Sequence, residues 1–236
     1  MRDEDLLYIE DDKKRKLFYR FTPAAIASNF VPLIVILHEE GREDTLNFEH
    51  KMWNVLTPLD HFGDKGRGSC WLGEKGDFFV KDLLQKLIHE IAEAYECEDH
   101  IYLYGSSMGG YGAILHGILC KANAIYAQAP HITLQEKNDT DTLMKRFYTA
   151  IFGDTVSKEN DLTHFLNPDD PFPVFYLCDK GTTDDHSQKE EMAYFVDACK
   201  KNNITVHPDF CPKLKDDETQ VLKEVLGFFE RIASEG

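Results

Sequence analysis

The sequence predicts an α/β fold, a mostly parallel sheet flanked by helices on both faces, and three features carry that prediction. Apolar runs of strand length alternate with helix-length amphipathic runs from Val31 to the end. Val31–Leu37 (VPLIVIL) is continuously apolar, as a strand buried on both faces requires. A glycine-bearing turn, Gly105-Ser106-Ser107-Met108-Gly109, joins a short strand to an apolar helix. The 236 residues contain no internal repeat, low-complexity tract or splitting linker. One domain, 1–236, is therefore expected.

The elements follow in order. Leu6–Ile9 and Lys16–Phe21 flank the polar turn Asp11–Arg15 and read as an antiparallel hairpin at a sheet edge. After Val31–Leu37 comes a weaker strand, Asn54–Leu59. His61–Gly76 holds five glycines and reads as a long functional loop. Phe79–Tyr95 places Val80, Leu83, Leu84, Leu87, Ile88, Ile91 and Ala92 on one helical face. Ile101–Tyr104 is a strand, and Tyr111–Cys120 is apolar all round, as a buried helix is. Strands follow at Ala124–Ala129, Val174–Cys178 and Asn203–His207, with helices over Gln188–Lys200 and Thr219–Ala233. The irregular stretch 131–171 reads as a lid-like insertion at the sheet edge.

Composition excludes several classes. Lys and Arg number 26 against 42 Asp and Glu, a net charge of -16, which repels a phosphate backbone, so no nucleic-acid partner is expected. No apolar run approaches the ~20 residues of a membrane span. Met1 is followed by Arg2, Asp3, Glu4 and Asp5, unlike a signal peptide. The six cysteines form no C-x-x-C pair, which suits reduced, small apolar side chains in a cytoplasmic protein rather than ligands or bridges. No H-E-x-x-H or Cys/His cluster has metal-ligand spacing, and Gly66-Arg67-Gly68-Ser69 lacks the phosphate-loop pattern, so no metal and no phosphate cradle are expected.

The turn at Gly105–Gly109 fits G-x-S-x-G. Between a strand and a helix this is the setting of a nucleophile elbow, where Ser107 points out of the carboxyl end of the sheet and the glycines remove side chains that would clash. The stretch Tyr102–Ala113 (YLYGSSMGGYGA) resembles the nucleophile region of serine esterases of the α/β-hydrolase superfamily. Its Ser-Met-Gly-Gly-Tyr form is similar to bacterial esterase-like proteins tied to capsule polysaccharide and accessory secretion. The order of elements extends the resemblance from Val31 to Ala233.

The resemblance implies an α/β-hydrolase fold and a serine esterase or acyltransferase working through an acyl-enzyme on Ser107, without a cofactor. It implies a small-molecule or carbohydrate ester as substrate, an acetylated sugar among them. The amides of Met108 and Glu39 would form the oxyanion hole, with Glu39 standing where a glycine is common. His38, at the end of the Val31–Leu37 strand, is assigned to the substrate side. In the glycine-rich loop, Trp71 with Phe62 would stack on a sugar or cover an acyl chain, and Arg67 would meet a carboxylate.

The acid is expected after Val174–Cys178, where Asp179, Asp184 and Asp185 lie, with Asp184 ranked just ahead of Asp179. The superfamily order is Ser, acid, His, with the histidine after the last strand. Here Asp209–Glu218 contains none. His207 is the first choice for the base, with His186 and His131 as the other candidates. Without any base, the chain would be a non-catalytic binding or assembly protein on the same fold.

Overall fold

A computed structural model describes residues 6–26, 31–134, 142–167, 171–179, 186–212 and 217–235. The strands are β1 (Leu7–Glu10), β2 (Lys16–Thr22), β3 (Leu33–Leu37), β4 (Asn54–Leu59), β5 (Ile101–Ser106), β6 (Ala124–Gln128), β7 (Val174–Cys178) and β8 (Val206–His207). The helices are α1 (Phe79–Ala94), α2 (Met108–Leu119), α3 (Thr142–Phe152), α4 (His186–Lys201) and α5 (Glu218–Glu235). The eight strands form one sheet in the order β1-β2-β4-β3-β5-β6-β7-β8. β2 is antiparallel to β1 and to β4, and every other neighbouring pair is parallel.

Alternation along the central strands sorts their side chains onto two faces. Ile101 and Leu103 of β5, Ile125 of β6 and Phe175 and Leu177 of β7 join a core with α1, α2 and α4. Tyr102, Tyr104, Tyr126 and Tyr176, from alternate positions of the same strands, join Trp53 and the Val221, Leu222, Val225, Leu226 and Phe229 stripe of α5. Each fully buried large side chain of this kind contributes about 1.5–3 kcal/mol. The apolar face expected for α1 is the face it buries.

The span 131–171, expected to be a lid-like insertion, sends several of its described side chains into the core. Ile132, Leu134, Phe147, Ile151, Phe152, Leu162 and Leu166 are buried in the α1–α2 side of the core. The end of α3 accepts hydrogen bonds from the glycine-rich loop, Lys75 N to Ala150 O at 2.9 Å and Gly76 N to Ile151 O at 2.8 Å. Two further bonds, Leu162 N to Ile132 O and Leu134 N to Asn160 O, close the insertion on itself.

The last strand is shorter than its apolar pattern suggests. Asn203 adopts a left-handed φ of 57°, a conformation asparagine tolerates better than most residues. It lets Ile204 N reach back to Cys199 O at 2.9 Å, so Asn203 and Ile204 finish α4, and the sheet is joined only from Thr205, whose carbonyl accepts from Phe175 N at 3.1 Å. Among the described residues, no helix is long and apolar enough to cross a membrane.

Candidate active site

Ser107 stands between the end of β5 and the start of α2, with φ 52° and ψ -115°. For a residue with a side chain this is strained backbone, costing on the order of 1–3 kcal/mol. The surroundings hold it there. Ser107 N donates to Gln128 O of β6 at 2.9 Å, and Tyr111 N donates to Ser107 O at 3.1 Å. The flanking glycines are required by contact. A Cβ on Gly105 would lie 2.0 Å from Gly109 O, and one on Gly109 would lie 2.1 Å from Leu37 O and 2.6 Å from His38 O. These obstacles are backbone atoms and cannot swing aside. Gly109→Ala is therefore expected to lower unfolding free energy by about 3 kcal/mol, the upper end for overpacking, as read from urea midpoints.

The histidine that reaches Ser107 is His131. Its Nε2 lies 3.4 Å from Ser107 Oγ. Three local features deliver it. Ala129 turns the chain with φ 43° while its amide donates to Cys178 O at 2.7 Å. Pro130 then rests against Gly110, where an added Cβ would come within 3.0 Å of the proline ring. Glu191 of α4 accepts from the amides of Ile132 and Thr133 at 3.0 and 3.3 Å, fixing the backbone just past the imidazole. The second glycine of Ser-Met-Gly-Gly and the Pro-His pair ending the β6 segment are the sequence signals for this approach.

His207 is not brought to the serine. It pairs with Tyr176 in β8, three strand positions from β5, or roughly 14 Å at normal strand spacing. Its ring stacks on Tyr176 with centroids 4.8 Å apart and an 8° interplanar angle. The register explains the correction: His207 lies beside the middle of β7, short of the carboxyl end where Ser107 emerges. Asp184 and the side chain of His186 lie outside the described residues. Asp179 directly follows β7, and its carboxylate lies 3.8 Å from Lys189 Nζ. Since Ala129 bonds the last residue of β7, the loop that begins at Asp179 starts beside the turn carrying His131.

Two side chains expected to meet substrate are part of the framework. Trp71 is 0 % exposed, so it cannot stack on a sugar. Its indole covers Gly112, where a Cβ would meet it at 2.3 Å, and packs edge-on against the His38 ring. His38 is buried too, and both its ring nitrogens are engaged. Nδ1 donates to Glu39 O at 2.6 Å and Nε2 accepts from Asp60 N at 2.9 Å, which fixes one neutral tautomer. Burial lowers the His38 pKa, in keeping with that neutral ring. Arg67 is partly exposed and pairs with Glu40 at 2.8 Å.

The residue that organises this region is Asp60, fully buried at the end of β4. Its carboxylate accepts from Ser69 N at 2.7 Å, Trp71 N at 2.8 Å, Phe62 N at 3.3 Å and the Ser69 hydroxyl at about 3 Å. These bonds fold the glycine-rich loop inward, with Cys70 and Trp71 both at positive φ. Gly68 then lies against Met108, whose Sδ would be 2.4 Å from an added Cβ. Nothing in the sequence marks Asp60 for this role, because one aspartate among many carries no sign of burial.

His116 of α2 completes the framework. Its Nε2 donates to Trp71 O at 3.0 Å and its Nδ1 accepts from Gln85 Nε2 at 2.8 Å. Burial lowers its pKa from 6.5 to about 4. The folded state therefore resists a proton that the unfolded chain accepts. Stability falls as pH drops from 6.5 toward 4, by roughly 3 kcal/mol in all, and no further below the folded pKa. Urea unfolding at pH 7 and at pH 4 is expected to show this loss reduced by about that amount in His116→Gln.

Met108 opens α2 directly after Ser107, and Glu39 follows β3 by two residues.

No family model matches the sequence, and no curated protein does. Solved structures do match. The fluorophosphonate-binding serine hydrolase FphF of Staphylococcus aureus superposes with a TM-score of 0.67 at 12% identity, over 95% of this chain and 96% of that one. The capsule O-acetyltransferase of Neisseria meningitidis serogroup A gives 0.63 at 18% identity, over 96% and 93% of the two chains. The esterase Est2 of Thermogutta terrifontis gives 0.67 at 14% identity, over 98% and 91%. At these identities the likeness is one of fold.

Proposed function

We propose that this protein, whose architecture is the α/β-hydrolase fold, hydrolyses carboxylic esters or transfers their acyl groups through an acyl-enzyme on Ser107. The observation that carries the reading is the strained Ser107 with a histidine nitrogen 3.4 Å from its hydroxyl. That separation is within the looser range of a catalytic pair before substrate binds. In this reading His131 Nε2 takes the Ser107 proton as Oγ attacks the carbonyl. The amides of Met108 and Glu39 receive the developing oxyanion. His131 then returns the proton to the leaving alcohol, and a second alcohol or water, deprotonated by His131, releases the acyl group.

The acid that orients His131 Nδ1 comes in this reading from the loop after β7, with Asp184 and Asp179 as the candidates. The chain order is then Ser, His, acid, where the superfamily has Ser, acid, His. The three groups come from the ends of β5, β6 and β7, which are neighbours in the sheet. An acetylated carbohydrate is the substrate class favoured by the Ser-Met-Gly-Gly-Tyr resemblance, and a capsule O-acetyltransferase among the structures of like fold agrees with it. Arg67, beside Glu40, is the candidate contact for an acidic substrate group.

The test is labelling by a fluorophosphonate, which reacts only with an activated serine. Wild type is expected to label and Ser107→Ala to show none. A folded wild type that stays unlabelled overturns the reading and leaves a binding protein on this fold.

A further inference from the structure

No C-x-x-C spacing marks a thiol pair, yet the fold brings two cysteines together across adjacent loops. Cys178 ends β7 and is buried, while Cys211 follows β8 and is exposed. Both sulfurs lie against one atom, the carbonyl oxygen of Asp179. Cys178 Sγ is 3.3 Å from it and Cys211 Sγ 3.7 Å. The two sulfurs are thus within about 7 Å of each other. The backbones there run side by side, since Phe210 N donates to Leu177 O at 3.0 Å. A disulfide needs the two Cα atoms about 4.4–6.8 Å apart, and the Phe210–Leu177 bond holds the neighbouring backbones close.

We propose that Cys178 and Cys211 form a modification site that a hydroperoxide converts to an intramolecular disulfide. The Cys211 thiolate attacks the peroxide, the O–O bond breaks, and the sulfur becomes a sulfenic acid as water or an alcohol leaves. Cys178 then attacks that sulfur, the S–O bond breaks, and the hydroxyl departs as water with the remaining proton. Two thiols lose two electrons and the peroxide gains them. A dithiol reductant reverses the step by exchange. The exposed thiol reacts first and the buried one resolves it, an order set by access.

The other thiols are poor competitors. Cys70, Cys97 and Cys199 are buried, and burial pushes Cys97 up to about 11 and Cys199 and Cys120 up to about 12. Thiols held protonated react slowly with peroxide. The bond would join the end of β7 to the loop after β8, and it does not depend on the proposed esterase activity.

The experiment exposes the reduced full chain to a hydrogen peroxide pulse and maps peptides without reduction. The expected product is a Cys178–Cys211 linked peptide, lighter than the two thiol peptides by two hydrogens, which dithiothreitol abolishes. Cys178→Ser is expected to stop at a Cys211 sulfenic acid that dimedone traps, and Cys211→Ser to form no link at Cys178. Circular dichroism confirms that both serine variants fold. Equal dimedone trapping of Cys211 in wild type and Cys178→Ser, or Cys211 linked only between two chains, overturns the proposal.

Discussion

Replacing His131 with alanine is expected to lower turnover of an activated acetyl ester by about 10³–10⁴-fold, with folding intact. A serine hydroxyl is a weak nucleophile until a base takes its proton. In the proposed reading the His131 nitrogen, 3.4 Å from Ser107 Oγ, takes that proton. The loss is on kcat, because the base acts in the transition state and not in holding the ester. What survives would be the residual acceleration from the oxyanion amides and binding. His207→Ala supplies the contrast. Its ring rests on Tyr176, so a drop of less than about threefold is expected there, from lost packing alone. Comparable losses in both variants would return the assignment to the superfamily order, and a His131→Ala enzyme as fast as wild type would end it.

Asp60→Ala is expected to cost about 3–5 kcal/mol in urea unfolding, the largest stability effect of any single side chain near the site. The carboxylate is 0 % exposed and gathers three amides and a hydroxyl. Its removal leaves those buried donors without partners, at about 1–3 kcal/mol for each that water cannot reach. Asp60→Asn separates charge from shape. The amide retains one acceptor oxygen but turns an NH₂ toward N–H donors, so about half the loss is expected. Since the loop rests on Met108 through Gly68, fluorophosphonate labelling should slow in Asp60→Asn at temperatures where the protein is still folded. Unchanged labelling together with the full loss of stability would confine Asp60 to the fold.

The strands and long helices were legible because their signals are local. The continuous apolar run of β3 and the seven-residue apolar face of α1 leave little choice of element. Gly105, Ser107 and Gly109 were legible as one short motif, although only the clash at Gly105 is local, with Gly109 O, while that at Gly109 is with Leu37 O and His38 O at the end of β3. The shortening of β8 was hidden, because Asn203 caps α4 only in three dimensions. The base was also hidden. Choosing among His131, His186 and His207 requires knowing how far along its strand each stands, and periodicity leaves that offset open by several residues. Trp71 misled for the opposite reason. An aromatic residue in a glycine-rich loop looks exposed, and only the bonds to Asp60 and the space above Gly112 turn it inward.

The serine and the histidine that meets it are 24 residues apart in the chain. Had the histidine followed the last strand, the separation would be roughly 100 residues, and the entropy of closing that loop would be about 1 kcal/mol greater. The pair is therefore a comparatively local contact, spanning one strand–helix–strand unit. On the ribosome, Ser107 and His131 are both made before β7, α4 and α5. In the proposed reading, the order of synthesis makes Ser107 and His131 first and the loop that would supply the acid afterwards. In a folding experiment, the segment from β5 to β6 would gain its contacts with less loss of chain freedom than any contact reaching from β5 to the carboxyl-terminal helix.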